Sequence, residues 1–278
     1  MKKNKVENSS GGRGVLAAVA VVLAVAAAAA VLFAYTTLRD IWREQCVLDD
    51  VTAQVTVHDG KLVKGDVVAD ALGLRKGANL AEIDFAKRRA DVLARYPAIR
   101  DISITRRLPN RVEISIEERK PVARMNIRGH KGDTGRVVDT DGIVFQCRRG
   151  TSLLPVIRED QSPGTAPGKR LKGRALGALR LIEACREPEL QELAILEVDT
   201  SKPDFLPTTL GRDYSTANIA WQGMEEEPTE ASRADLMLRL SNLRDAMRCD
   251  IGAGTKVWNA RDLENPNNVY ADKKEIIR

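Results

Sequence analysis

The spacing of apolar positions divides the chain into stretches of different kind. From Val15 to Tyr35 there is no period at all: VLAAVAVVLAVAAAAAVLFAY runs for twenty-one residues without a charge. At about 1.5 Å rise per residue such a helix covers a hydrocarbon core of roughly 30 Å, so residues 15–35 are expected to form a transmembrane helix. A cleavable signal peptide is the competing reading, and the small residues Ala26 to Ala30 could serve its cleavage. The run is longer than the usual signal core of about 7–15 residues and closes on bulky Leu32, Phe33 and Tyr35, which favours an anchor. Lys2, Lys3, Lys5 and Arg13 outweigh Glu7 ahead of the run, whereas Arg39 and Arg43 are balanced by Asp40 and Glu44 behind it. Positive flanks stay inside, so residues 1–14 read as a cytoplasmic tail and the body lies outside, with Tyr35 and Trp42 suited to the outer interface.

Behind the anchor the period becomes two, then about 3.6, then two again. Gln54-Val55-Thr56-Val57 alternates as a strand does, and Asp59-Gly60 marks a turn. Val67, Val68, Ala71 and Leu72 recur at helical spacing before Gly73 and Gly77. A second helix is expected to place Ile83, Ala86, Ala90 and Leu93 on one stripe, with Asp84 at its start and Tyr96-Pro97 at its end. Ile102 to Thr105 and Val112 to Glu117 then read as strands around Arg107-Leu108-Pro109-Asn110-Arg111. In the second of them Val112, Ile114 and Ile116 face one way and Glu113, Ser115 and Glu117 the other, the pattern of a sheet with one wet face. The order is β-α-α-β-β, a small two-layer α+β module.

Beyond Pro121 strand signals dominate. Val122 to Ile127, Arg136 to Val138 and Ile143 to Phe145 are expected strands, the last two joined by a hairpin turn at Asp139-Thr140-Asp141-Gly142. Gln161 to Lys172 reads as a loop, and Leu176, Leu179, Ile182 and Cys185 step along a helix. Further strands are expected at Leu193 to Val198 and Asn218 to Trp221. An acidic turn from Gly223 to Thr229 precedes a long helix with Leu236, Leu240, Leu243 and Met247 on one face. Arg261-Asp262-Leu263 and Asn268-Val269-Tyr270-Ala271 read as a terminal strand region, and the tail from Asp272 is too charged for a core.

Composition adds little beyond this pattern. The chain has 278 residues, 43% hydrophobic and 30% charged, and its net charge of +5 is a small excess that does not call for nucleic acid. Cys46, Cys147, Cys185 and Cys249 lie on the outer side, where oxidation is possible, but no two form a CxxC unit and the three possible pairings stay open beside unpaired burial. His58 and His130 are far apart and flanked by turn residues, and no GxSxG, HExxH, P-loop or GxGxxG is present. Asp139 and Asp141 could open a calcium loop, yet position five would be Val144 and position twelve Gly150, so the turn reading prevails. Glu225-Glu226-Glu227 reads as a solvated flank of the long helix, and Arg88-Arg89, Arg106-Arg107 and Arg148-Arg149 as basic surface without interleaved aromatics.

The β-α-α-β-β order, GANLAEID before the second helix, YPAIRDISITRRLPNRVEISIEERKPVA across the strand pair and VVDTDGIVF beyond it resemble the FtsQ/DivIB family of bacterial cell-division proteins. The densest match runs from Arg107 to Ala123, and Lys64-Gly65 stands where the family's first helix commonly has a Ser or Thr cap. The resemblance implies an α+β chain with one transmembrane helix, a POTRA domain at 50–120, a mixed, mostly β domain at 121–272 and a charged tail at 273–278. It implies a plasma (inner) membrane protein of the division septum that binds FtsB/FtsL-type membrane partners, and other divisome proteins through the POTRA domain, and so helps regulate septal peptidoglycan synthesis. No catalytic residue, cofactor, metal, nucleic acid or small-molecule substrate is implied. In the family the final strands offer an edge to the FtsB-type partner, and Asn268, Val269, Tyr270 and Ala271 best match that position; a strand that merely completes the sheet is the alternative. A POTRA-bearing secretion or assembly factor, and a membrane-anchored cell-wall enzyme, are the rival functions.

Overall fold

The computed structural model describes residues 11–49, 55–58, 62–107, 109–130, 132–160, 163–211, 214–224, 228–249 and 256–273. Contacts gather the chain into two units: the first holds residues 1–58, 66–88 and 103–115, and the second holds 59–65, 89–102 and 116–278. Helix α1 spans Gly11–Gln45, and from Val19 onward it is long and apolar enough to cross a membrane, with its side chains exposed throughout. It runs ten residues past Tyr35, and its end is fastened rather than free. Leu48 N–H donates to the Ala78 carbonyl (3.0 Å), Gly77 N–H to the Leu48 carbonyl (2.7 Å) and Leu80 N–H to the Cys46 carbonyl (2.9 Å), while Arg43 pairs with Glu82 at 2.8 Å. Cys46, Leu48 and Leu80 are buried there.

The elements β1 (Val55–His58), α2 (Gly65–Ala71), α3 (Phe85–Arg95), β2 (Ile99–Arg107) and β3 (Arg111–Glu118) follow the expected order, in a three-stranded sheet β1-β3-β2 with β1 parallel to β3. Gln54 lies outside the described residues. Val112 and Ile114 are buried and Ile116 half-buried, as the alternation requires. The stripe of α3 differs from expectation: Phe85 and Val92 are buried, whereas Ala86 and Ala90 are exposed. Arg89 is four positions after Phe85 and three before Val92, and its guanidinium donates to the Ile102 carbonyl (2.8 Å) and to Asp101. Arg89 itself stays exposed, its side chain 44% accessible, so these contacts form at the surface of the helix.

The second unit contains a nine-stranded mixed sheet of β4 (Ala123–Ile127), β5 (Arg136–Val138), β6 (Val144–Gln146), β7 (Val156–Glu159), β8 (Ile195–Asp199), β9 (Leu206–Leu210), β10 (Thr216–Ile219), β11 (Lys256–Ala260) and β12 (Tyr270–Lys273). Its order is β12-β11-β10-β9-β8-β7-β4-β5-β6. Helices α4 (Gly173–Ala184) and α5 (Glu230–Cys249) are crossovers between the parallel pairs β7/β8 and β10/β11. Leu176, Leu179 and Ile182 of α4 and Leu236, Leu240, Leu243 and Met247 of α5 share one core with the strands. The expected hairpin joins β5 to β6, with Gly142 at φ +77° and the Leu176 side chain 3.3 Å from where a Cβ would stand. The strands β7, β9 and β11 had no counterpart in the pattern. The acidic triplet 225–227 and the tail from 274 lie outside the described residues.

Candidate partner-binding edge

A nine-stranded open sheet has two edges, and they are treated differently here. At the β6 edge the chain covers itself: Val144 N–H donates to the Lys169 carbonyl (2.9 Å), Gly168 N–H to the Val144 carbonyl (2.7 Å), and Ile143 bridges Arg170. At the other edge, β12 pairs only with β11, antiparallel, with Asn259 opposite Tyr270 and Lys256 opposite Lys273. Among the described residues no strand lies on its far side, and an uncovered edge presents a row of backbone donors and acceptors.

Of the four residues expected in this strand, Tyr270 and Ala271 are in β12, while Asn268 and Val269 belong to the loop before it. The strand begins two residues late because the loop uses their backbone: Asn268 N–H donates to the Asn265 carbonyl and Val269 N–H to the Asn267 carbonyl, both at 3.0 Å. Val269 packs on the core of the unit and Tyr270 remains exposed. The expected strand at Arg261-Asp262-Leu263 is a turn instead. Asp262 organises it: one carboxylate oxygen accepts the N–H groups of Glu264 and Asn265 at 3.0 Å, and the other accepts the Asn268 side-chain amide at 2.9 Å. That amide, then the loop N–H groups and the nearby Arg239 charge, hold the Asp262 carboxyl below its ordinary range. Arg261 stacks over the Phe205 ring at 4.9 Å and approaches the Tyr270 hydroxyl at 3.5 Å.

Two motifs distant in sequence meet elsewhere in the second unit. Arg119 donates to Asp139 at 2.5 Å and lies 3.4 Å from Asp141, while its Nε donates to the Pro97 carbonyl at 3.1 Å. Arg100 adds contacts to Asp141 (3.5 Å) and Glu117 (3.4 Å). Asp139 and Asp141 are therefore neutralised by guanidinium groups, and Asp139 also accepts the Ile143 N–H at 2.8 Å to shape the hairpin turn. Cys46, Cys147 and Cys185 are buried and unpaired, and Cys249 is exposed. Burial pushes the Cys185 thiol up to about 12, which removes the thiolate needed for nucleophilic chemistry. Among the described residues no group of three His, Cys, Asp or Glu side chains is placed to hold a metal ion.

Of the residues that shape the edge, Asp262 was read only as part of a strand, and Arg239, which donates to the Ala260 and Asp262 carbonyls, and Asn242, which donates to the Pro266 carbonyl, were not singled out by sequence. Arg239 carried a signal, since it stands three positions after Leu236 and one before Leu240 on the buried stripe of α5.

Residues 52–119 match the family of FtsQ-type POTRA domains. The cell division protein DivIB of Clostridium acetobutylicum is 26% identical over 106 residues, 38% of this chain and 41% of that protein. The cell division protein FtsQ of Neisseria meningitidis is 42% identical over 64 residues, 23% of this chain and 24% of that protein, and FtsQ of Neisseria gonorrhoeae is likewise 42% identical over 64. The matched part thus spans less than half the length of these relatives. The β-α-α-β-β module at residues 52–119 is thus an FtsQ-type POTRA domain, and over this part, behind an apolar leading helix, the chain is similar to the FtsQ and DivIB cell-division proteins.

Proposed function

We propose that this chain is a non-enzymatic, bitopic membrane scaffold of the division machinery. In this reading α1 anchors it in the plasma (inner) membrane at the septum, with the N-terminus cytoplasmic. Residues 50–120 act as the POTRA domain and 121–272 as the β domain. The edge of β12 docks FtsB/FtsL-type membrane partners, and other divisome proteins meet the POTRA domain, so that septal peptidoglycan synthesis is regulated through assembly. The observation that carries the reading is the asymmetry of the large sheet: one edge is covered by residues 168–170, whereas among the described residues no strand covers β12. Strand addition draws affinity from such backbone groups and selectivity from exposed side chains such as Tyr270. Confinement to one bilayer raises effective concentration, so each contact can be weak.

The test uses the full chain in detergent with a co-expressed FtsB-type partner. Ala271→Pro places a residue without an N–H in the edge strand, and Tyr270→Ala removes an exposed anchor. Both are expected to abolish or strongly weaken co-purification, and Tyr270→Ala to leave thermal unfolding unchanged. Undiminished capture by both variants would remove β12 from the interface.

A further inference from the structure

Arg239 is the largest fully buried side chain among the described residues, only 2% exposed, and it is charged. Its guanidinium is spent on backbone: one nitrogen donates to the carbonyls of Ala260 (3.2 Å) and Asp262, and the other to the Asp235 carboxylate at 3.0 Å. Ala260 is the last residue of β11 and Asp262 opens the loop toward β12. One turn further along α5, Asn242 donates to the Pro266 carbonyl (3.2 Å) and to the Asn267 side-chain oxygen (3.0 Å). The same face of α5 therefore holds the β11–β12 connection at its start and near its end.

The connection needs such a hold. β12 has four residues, a long loop before it and, among the described residues, one neighbouring strand, and a long loop does not specify register as a two-residue hairpin turn does. A slip of two residues would preserve the facing of side chains while changing which backbone groups are offered, so alternation alone cannot forbid it. We propose that Asp235, Arg239 and Asn242 form a positioning face on α5 that sets the register of β12 against β11, with Arg239 the principal member. A buried cation bonded to the last carbonyl of β11 and to a carbonyl of the loop acts here as a ruler: if the loop moves, the bond to Asp262 breaks where the protein excludes water. The inference rests on the reading of β12 as the docking edge only for its biological meaning; the register itself is a property of this chain alone.

Register is measured by cross-strand disulfides in the full chain with Cys249→Ser. Val257→Cys with Asp272→Cys reports the observed pairing, and Val257→Cys with Tyr270→Cys reports a two-residue slip. With Arg239 intact the first pair should form far more readily than the second. Arg239→Gln should lose that preference, and Arg239→Lys, which keeps a charge and reaches one carbonyl, should recover part of it. Because removal of a buried guanidinium can unfold a domain, the ratio is also read in Asp235→Ala/Asn242→Ala, which leaves Arg239 in place and should likewise reduce the preference. An unchanged preference in every variant that folds would overturn the proposal. Capture of the partner is scored separately: a shifted register with intact capture would sink the docking reading and leave the positioning role standing.

Discussion

Ile114 is fully buried in β3, while its neighbour Glu113 faces the other way and lies 3.3 Å from Arg107. Ile114→Asp places an unpaired carboxylate among apolar side chains and should cost about 4 kcal/mol or more, whereas Glu113→Lys should cost within about 1 kcal/mol. Thermal unfolding of the detergent-solubilised chain decides this, and equal losses at the two positions would mean the strand is in the opposite phase. Arg119 gives a second test. Its partner Asp139 has a side chain only 4% exposed, so Arg119→Met leaves a buried carboxylate without its counter-charge and should cost about 3–5 kcal/mol. Asp139→Asn in the Arg119→Met background should restore part of the loss, and an unaltered melting temperature in Arg119→Met would deny the cluster any structural weight. At this scale the apolar members of each face were legible, since Val112 and Ile114 follow from alternation alone. Arg119 and Arg239 were not, because what takes a guanidinium out of water is a partner that arrives from far along the chain: Asp139 and Ala260.

Among elements, those with long and regular periods were readable. The stripe Leu236, Leu240, Leu243, Met247 located α5, and Leu176, Leu179, Ile182 located α4. The strands β7, β9 and β11 were missed because each is four or five residues long and gains its strand character from neighbours on both sides. β9 even contains Pro207, opposite Asn218 of β10, in an interior strand where proline usually argues against pairing. The loop between β11 and β12 carries a prediction of its own. Asp262 is held below its ordinary range by the Asn268 amide, so the folded form binds the Asp262 proton less readily than the unfolded chain. The stabilisation is present above the unfolded value of about 3.9 and is lost as pH falls through the lowered folded value. Protection of the loop and β12 amides, measured relative to the intrinsic exchange rate at each pH, should therefore fall on acidification below about pH 4, and less steeply in Asp262→Asn. An identical acid response in the variant would remove Asp262 from the role.

For the whole molecule the first question is topology. Reporter fusions at residue 50 should be active only for reporters that work outside the cytoplasm, and an N-terminal tag should stay intact in the membrane fraction. A soluble species beginning near Thr36 would replace the anchor by a cleaved signal. The end of α1 is bonded to residues 77–80 of the first unit. Amides of Leu48, Gly77 and Leu80 should accordingly exchange slowly, in contrast to a free linker.

Sequence by itself determined the long apolar leading helix, the β-α-α-β-β module, the two amphipathic crossover helices and the family likeness, all of which depend on periods and motifs contained within short windows. Only the tertiary structure decided that the β6 edge is covered while, among the described residues, β12 is not, that β12 starts at Tyr270 rather than Asn268, and that Arg239 and Asn242 hold the loop before it. The physical reason is that edge status, register and the burial of a charge are relations between residues distant along the chain. A backbone N–H or a guanidinium is the same in sequence whether its partner is water, a strand or a carbonyl, and only the folded chain chooses among them.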